Sequence, residues 1–172
     1  FMEFKPEKIS TDEVSKEILN EPDKEPNPER GKEISIDNKT LVLVVGLPGS
    51  GKSTFATKHF PLESIVSTDL LRQEISNNPG NQIVSGRAFE IAKKIVSSRL
   101  EAGKIAVVDA QNLTEDTRMQ FYIAAEMNDA KVTAIFLDVD PHKSIERDVS
   151  RGKKVGASYI KGRRGIYAVA RR

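Results

Sequence analysis

The chain has 172 residues, of which 38% are hydrophobic, enough for the core of one domain. It contains no cysteine, so disulfide bonds, thiolate metal sites and cysteine nucleophiles are excluded. The formal net charge of +2 is unevenly placed, because residues 1–40 carry a net −4, residues 41–146 a net −2 and residues 147–172 a net +8. This asymmetry indicates an anionic partner near the C-terminal end.

The sequence shows no signal for a membrane segment or for secretion. No apolar run approaches the roughly 20 residues that span a bilayer, and no signal-peptide pattern opens the chain. We therefore expect a soluble, cytoplasmic protein that does not contact a membrane. Paired-carboxylate clefts, Ser–His–Asp sets and zinc-binding patterns are also missing from the sequence.

Residues 1–40 are acidic, contain four of the eight prolines and are interpreted as an N-terminal extension before a domain at residues 41–172. Ser10 and Glu13 have the spacing of a capping box, which predicts a short helix that runs to about Asn20. Such a helix either docks on the main domain, frays in solvent or binds a partner domain or protein.

From Leu41 onward, segments typical of strands and helices alternate. Strands are predicted at residues 41–45, 64–67, 105–109 and 132–139, and helices at residues 52–60, 70–76, 87–102 and 115–128. The first strand is a continuous apolar run of the kind that is buried on both faces of a parallel sheet. The core face of the third helix is assigned to Phe89, Ala92, Ile95, Val96 and Leu100. The alternation predicts βαβ units and an α/β fold, with helices on both faces of a parallel sheet.

Residues 46–53 fit the pattern G-x-x-x-x-G-K-[ST] of a phosphate-binding P-loop, between a predicted strand and a predicted helix. Glycines allow the backbone to wrap closely around phosphate oxygens, and the helix N-terminus adds the positive end of its dipole. Lys52 would bridge the β- and γ-phosphates, and the Ser53 hydroxyl would bind Mg²⁺. The alternative is a glycine-rich turn without a ligand. The residues predicted to bind ATP or another nucleoside triphosphate here are Leu47, Pro48, Gly49, Ser50, Gly51, Lys52, Ser53 and Thr54.

The second predicted strand leads into Asp69, and Arg72 follows on the same face of the next helix. A carboxylate at this edge of an open α/β sheet can accept the proton of an acceptor hydroxyl, and an arginine beside it can bind an acceptor phosphate. Alternatively, Asp69 caps the helix and pairs with Arg72 on the surface. The spacing does not distinguish these interpretations.

The third predicted strand also ends on a carboxylate, Asp109. This side chain could hold a water molecule of a Mg²⁺ ion, as a Walker-B aspartate does, or orient neighbouring polar groups. Alternatively, it begins a loop and caps Gln111 or Asn112.

The last predicted helix carries Arg147 and Arg151, which are four residues apart and so share a face. A glycine and two lysines follow directly, at residues 152–154. A mobile arginine supplied by a basic lid can stabilise the charge that develops during phosphoryl transfer. The alternative is a solvated basic surface.

These motifs, taken in chain order, resemble the 5′-kinase domain of phage and bacterial polynucleotide kinases. The resemblance covers residues 41–172 and rests on the P-loop, on Asp69 with Arg72, on residues 107–112 with Arg118 in the next helix, and on Arg147 with Arg151. It implies a P-loop kinase fold of three α/β/α layers, with a small parallel sheet in the order 2-3-1-4 and a basic helical lid.

The same resemblance implies roles for individual residues. Lys52 and Ser53 would hold ATP and Mg²⁺, and Asp69 would be the general base for a 5′-hydroxyl of DNA or RNA. Arg72 would bind a phosphate of the acceptor strand, while Arg151, helped by Arg147, would contact the phosphates of ATP in the transition state. The segment before Leu41 has no counterpart in the family pattern.

Two other functions remain open from the sequence. One is a P-loop kinase with a different acceptor, such as a hydroxymethylated pyrimidine in DNA or a small-molecule hydroxyl. The other is a nucleotide-binding interaction module without catalysis, because the P-loop is shared by proteins of many activities.

Overall fold

A computed structural model describes residues 7–10, 35–150, 152 and 155–170 of the chain, with side chains described for residues 35–150, 152 and 155–163. The strands are β1 (Glu7–Ser10), β2 (Thr40–Val45), β3 (Ile65–Ser67), β4 (Ala106–Asp109) and β5 (Lys131–Phe136). The helices are α1 (Lys52–His59), α2 (Thr68–Ser76), α3 (Ser85–Glu101), α4 (Glu115–Met127), α5 (Pro141–Ser150) and α6 (Ala157–Ala170). None of the helices in the described part of the chain is long and apolar enough to cross a membrane.

The strands form one sheet in the order β1-β5-β2-β4-β3, and every pairing is parallel. When β2, β3, β4 and β5 are counted as strands 1 to 4, their order across the sheet is 2-3-1-4. The predicted P-loop kinase fold is therefore confirmed. In the register of the sheet, Asp109 on β4 lies opposite Val44 on β2 and opposite Ser67 on β3. Three strand ends that carry candidate site residues therefore meet at one edge of the sheet.

Helices cover the sheet on both faces. Leu41, Leu43 and Val45 of β2 pack in a core shared with α3 and α4, whereas Val42 and Val44 pack in a second core with Phe55 and Ala56 of α1. All six residues of β2 are buried, because it is an interior strand between two helical layers. Strand β2 is thus paired along both edges and packed on both faces, and the P-loop follows directly after it.

Two details of the sequence analysis need correction or extension. Ile95 was assigned to the core face of α3, but its side chain is 37% exposed, and the buried residues of this helix are Ala88, Ala92, Val96 and Leu100. The strand β1 was not predicted; it adds an edge to the sheet by pairing with β5. The helix predicted to run to about Asn20 lies outside the described residues.

Substitutions at two positions of α4 should differ in their effect on the free energy of unfolding, because only one of the two side chains lies in the core between the sheet and α3–α4. Phe121 is fully buried and packs edge-on against Phe89 at a ring-centroid distance of 5.0 Å, whereas Met127 is 81% exposed. Phe121→Ala should lower the free energy of unfolding by about 3–5 kcal/mol, because it leaves a cavity. Met127→Ala, the control, should change it by less than about 0.5 kcal/mol. Urea unfolding followed by circular dichroism measures both, and equal effects would contradict this description of the core.

Candidate active site

Two glycines shape the P-loop between β2 and α1, one by allowing a close approach and the other by its left-handed backbone. A Cβ atom on Gly46 would come within 2.5 Å of the Ser50 hydroxyl oxygen, so the first glycine allows the loop to fold back on itself. Gly51 has φ of +93°, a left-handed conformation that side-chain-bearing residues rarely adopt. The first-turn amides of a helix have no partners within the helix, and no side chain caps α1. These amides can therefore bind an anion.

Lys52 holds a positive charge inside this loop. Its ammonium group donates to the main-chain oxygens of Gly46, at 3.1 Å, and Leu47, at 2.9 Å. The Ser50 side chain is only 4% exposed, and its hydroxyl oxygen has no hydrogen-bond partner within the described residues. A cradle with a fixed cation, uncapped amides and an unsatisfied hydroxyl fits the phosphates of a nucleotide.

Asp109 lies at the centre of the site. Its side chain is 6% exposed, and the hydroxyl groups of Ser53 and Ser67 act on its carboxyl group by lowering its pKa. Ser53 belongs to the P-loop helix α1, and Ser67 ends β3. The Asp109 carboxyl group thus lies between the ends of the two strands that flank β4.

Burial disfavours the charged form of the Asp109 carboxyl group. Burial raises the pKa of the Asp109 carboxyl group above its ordinary value of 3.8, and the negative charge of Asp69 adds to the increase. The two serine hydroxyls and the positive charge of Lys52 oppose this shift in pKa. Asp69 is thus close enough to act electrostatically on the carboxylate that contacts the P-loop.

Asp69 and Arg72 form an ion pair in the first turns of α2. The side chain of Asp69 is 70% exposed, while that of Arg72 is only 15% exposed and also donates from Nε to the main-chain oxygen of Pro79 at 2.6 Å. Ser67, rather than Asp69, caps α2 through its contact with the amide of Leu70. An exposed carboxylate is therefore paired here with a largely buried guanidinium.

The first lid arginine lies against the P-loop. Arg147, on α5, donates from Nη1 to the main-chain oxygen of Ser50 at 3.3 Å. Its neighbour Asp148 is 1% exposed and accepts from the amides of Val155 and Gly156, at 3.0 and 2.8 Å. Asp148 thus joins the end of α5 to the start of α6. Arg151, the second predicted lid arginine, lies outside the described residues.

Asn112 and Arg118, which have no predicted individual role, support the site. Asn112 has φ of +52°, is 1% exposed and donates from its side-chain amide to the main-chain oxygen of Val44, so it ties β4 to β2. Arg118 donates to the main-chain oxygens of Asn112 and Leu113, which fixes the loop after β4 rather than reaching outward. Asn tolerates a left-handed backbone, but that preference alone does not identify such a position in a sequence.

The site also fits a Mg²⁺ ion that arrives with a nucleotide. Within the described ranges, no group of three or more His, Asp or Glu side chains could hold a metal ion. Mg²⁺ is commonly bound by only one or two protein groups together with phosphate oxygens and water. The Ser53 hydroxyl oxygen, whose group acts on the pKa of Asp109, has lone pairs that can bind such an ion.

Comparison with known proteins places the chain in a family. A family model described as an AAA domain matches residues 41–163. No curated protein matches the chain.

Solved structures share the fold. A chain from the Pnkp1/Rnl/Hen1 RNA repair complex is 21% identical, with a TM-score of 0.64 over 79% of this chain and 46% of that chain. Another structure of the Pnkp1/Rnl/Hen1 complex gives 22% identity and a TM-score of 0.53 over 67% and 41%. The APS kinase CysC of Mycobacterium tuberculosis, in complex with AMPPNP and APS, gives 17% and 0.52 over 66% and 70%. The protein spans less than half the length of the two RNA repair chains. These similarities concern the fold.

The raised pKa of Asp109 predicts how stability depends on pH. The folded protein binds this proton more readily than the unfolded chain does, so the group lowers stability as pH rises from 3.8 through its folded pKa. Asp109→Asn should therefore increase the free energy of unfolding relative to wild type at about pH 7, and the difference should shrink near pH 3.8.

Urea unfolding over this pH range measures the effect. Asp116→Asn is the matched control, because Asp116 is an exposed residue in the first turn of α4. A pH dependence in Asp109→Asn identical to that of wild type would contradict the assignment.

Proposed function

The chain belongs to the AAA-domain family whose model matches residues 41–163, and on this basis we propose that it is an ATP-dependent kinase of nucleic acids. It transfers the γ-phosphate of ATP to a hydroxyl group, and the acceptor is the 5′-hydroxyl end of DNA or RNA. The P-loop kinase fold accounts for nucleotide binding; the acceptor and the residue roles below are the proposal.

The observation that best supports this proposal is that the Asp69 carboxylate lies beside the P-loop and is exposed to solvent. Asp69 is 70% exposed and raises the pKa of Asp109, and the Ser53 hydroxyl of the P-loop helix lowers the pKa of the same carboxyl group. A base for an acceptor hydroxyl needs this combination of solvent access and proximity to the phosphates. Asp69 accepts the proton of the hydroxyl, and Arg72 orients Asp69 or binds a phosphate of the acceptor.

The remaining groups bind and orient. Lys52 and the P-loop amides hold the phosphates, and the Ser53 hydroxyl, with Asp109 behind it, holds Mg²⁺. Bound there, ATP and its Mg²⁺ supply the phosphoryl group and neutralise charge on its oxygens. Arg147, already in contact with the P-loop, and Arg151 add positive charge from the lid side. Positioning and electrostatic stabilisation are the main contributions that phosphoryl transfer requires of a protein.

Three facts favour a nucleic acid as the acceptor. The motifs resemble those of polynucleotide 5′-kinases, and two solved structures with this fold come from an RNA repair complex. The net charge of +8 over residues 147–172 lies in the segment that follows β5. A strand of phosphates is the acceptor that such a charge would attract.

A panel of acceptors tests this proposal. With γ-labelled ATP and Mg²⁺, we expect label on 5′-hydroxyl DNA or RNA oligonucleotides. The same oligonucleotides carrying a 5′-phosphate are the control and should take up none. Labelling only of hydroxymethylpyrimidine DNA or of small-molecule alcohols would refute the nucleic-acid 5′-end assignment. ATP binding without labelling of any acceptor would indicate a non-catalytic nucleotide-binding module.

If Asp69 is the general base, Asp69→Asn should lower turnover without weakening nucleotide binding. Removing a general base should lower kcat by about 10²- to 10⁴-fold. ATP affinity should stay within a few fold, since Asp69 does not belong to the P-loop. Steady-state kinetics and equilibrium ATP binding measure the two effects. Asp116→Asn, which removes a similarly exposed carboxylate from α4, should retain wild-type kcat. Normal turnover by Asp69→Asn would rule out the general-base role.

A further inference from the structure

An exposed aromatic side chain lies next to the candidate site and has no part in the proposed chemistry. Tyr159, in the first turn of α6, is 40% exposed. Gln111, from the loop after β4, has its side-chain nitrogen 3.5 Å from the Tyr159 hydroxyl oxygen. The guanidinium of Arg163 lies over the Tyr159 ring, 4.9 Å from its centroid. We call these three side chains the Tyr159 platform.

The platform is fixed to the body of the protein at both ends. Ile160, the next residue of α6, is fully buried. The main-chain oxygen of Gln111 accepts from the amide of Gly46, the first residue of the P-loop, at 3.4 Å. The ring of Tyr159 is therefore held close to the phosphate cradle although part of it is open to solvent.

The order of the strands shows on which side of the P-loop the Tyr159 platform lies. Gln111 follows β4, which lies between β2, the strand before the P-loop, and β3, the strand before Asp69. The platform is thus anchored on the Asp69 side, whereas Arg147 approaches from α5, which follows β5 on the other side of β2. A molecule whose hydroxyl reaches Asp69 would pass over the strand end that carries Gln111.

The chemistry of the platform fits a nucleobase. Unstacked bases bind by stacking on aromatic rings and on arginine planes, and this contact tolerates any base because each has a π-face. A side-chain amide beside the ring adds hydrogen-bonding groups for a base edge. An aliphatic acceptor has no π-face to stack on the tyrosine ring.

We propose that the Tyr159 platform stacks the 5′-terminal nucleobase of a polynucleotide acceptor and so directs its 5′-hydroxyl toward Asp69. This inference rests on the proposed function, because it names a specificity element for the same reaction. Tyr159 contacts the acceptor and not the reacting atoms, so it sets acceptor affinity rather than the rate of the bound complex.

The test compares acceptors and variants in steady-state kinetics. For an oligonucleotide with a 5′-hydroxyl, Tyr159→Ala should raise the KM about 10- to 100-fold, as expected for the loss of one base–aromatic stack. The KM for ATP should not change. Tyr159→Phe is the matched control, because it keeps the ring and loses only the hydroxyl contact with Gln111; its acceptor KM should stay within about threefold of wild type.

A second arm avoids any change in the protein. An oligonucleotide whose 5′-terminal nucleotide is abasic should show, with the wild-type protein, the same rise in KM. With this acceptor, Tyr159→Ala should have no further effect. Thermal unfolding of both variants verifies that α6 stays folded.

Four outcomes would overturn the inference. If Tyr159→Ala weakens the abasic and the normal acceptor equally, the ring does not stack that base. If it raises the KM for ATP instead, the platform binds the base of the donor nucleotide. If the wild-type protein labels no oligonucleotide at all, the proposed function itself is refuted and the inference falls with it. Wild-type labelling with an unchanged acceptor KM in Tyr159→Ala refutes the inference alone.

Discussion

The compensation of the buried Asp109 carboxylate by the hydroxyl groups of Ser53 and Ser67 and by the charge of Lys52 is the interaction on which the site depends. Burying a charged carboxylate is expensive unless hydroxyl groups and a nearby cation compensate for the lost hydration. The two serines come from different strand–helix turns, so this one group acts on both turns. The P-loop and the start of α2 are therefore coupled electrostatically through Asp109.

The sheet order makes that interaction possible. Strand β4 lies between β2 and β3, so the residue at its end is in register with the ends of both neighbours. The phosphate cradle after β2 and the open carboxylate of Asp69 after β3 consequently share one edge, with Asp109 between them. In a parallel sheet the carboxyl ends of all strands point the same way, which is why residues far apart in the chain converge there.

Some charged side chains of the basic C-terminal segment make contacts within the protein. Arg147 contacts the P-loop, Arg163 lies on the ring of Tyr159, and the buried Asp148 joins α5 to α6. These contacts favour a lid over a uniformly solvated basic surface, because a solvated surface would leave the arginines in water. The described part of this segment therefore places positive charge and an aromatic ring near the P-loop.

The sequence alone determined the P-loop, the order of strands and helices from Leu41 to α5 and, through the resemblance, the sheet order, because motif spacing and hydrophobic period are local properties. It also identified Asp69 and Asp109 as groups at strand ends, with Arg72 on the helix after Asp69, but left their roles open. Only the tertiary structure decided that Ser67 caps α2, that helix α6 forms, that Asn112 ties β4 to β2, that Arg147 contacts the P-loop and that Gln111 meets Tyr159. The last three depend on which strand ends the sheet brings together, and no local pattern in the chain encodes that proximity.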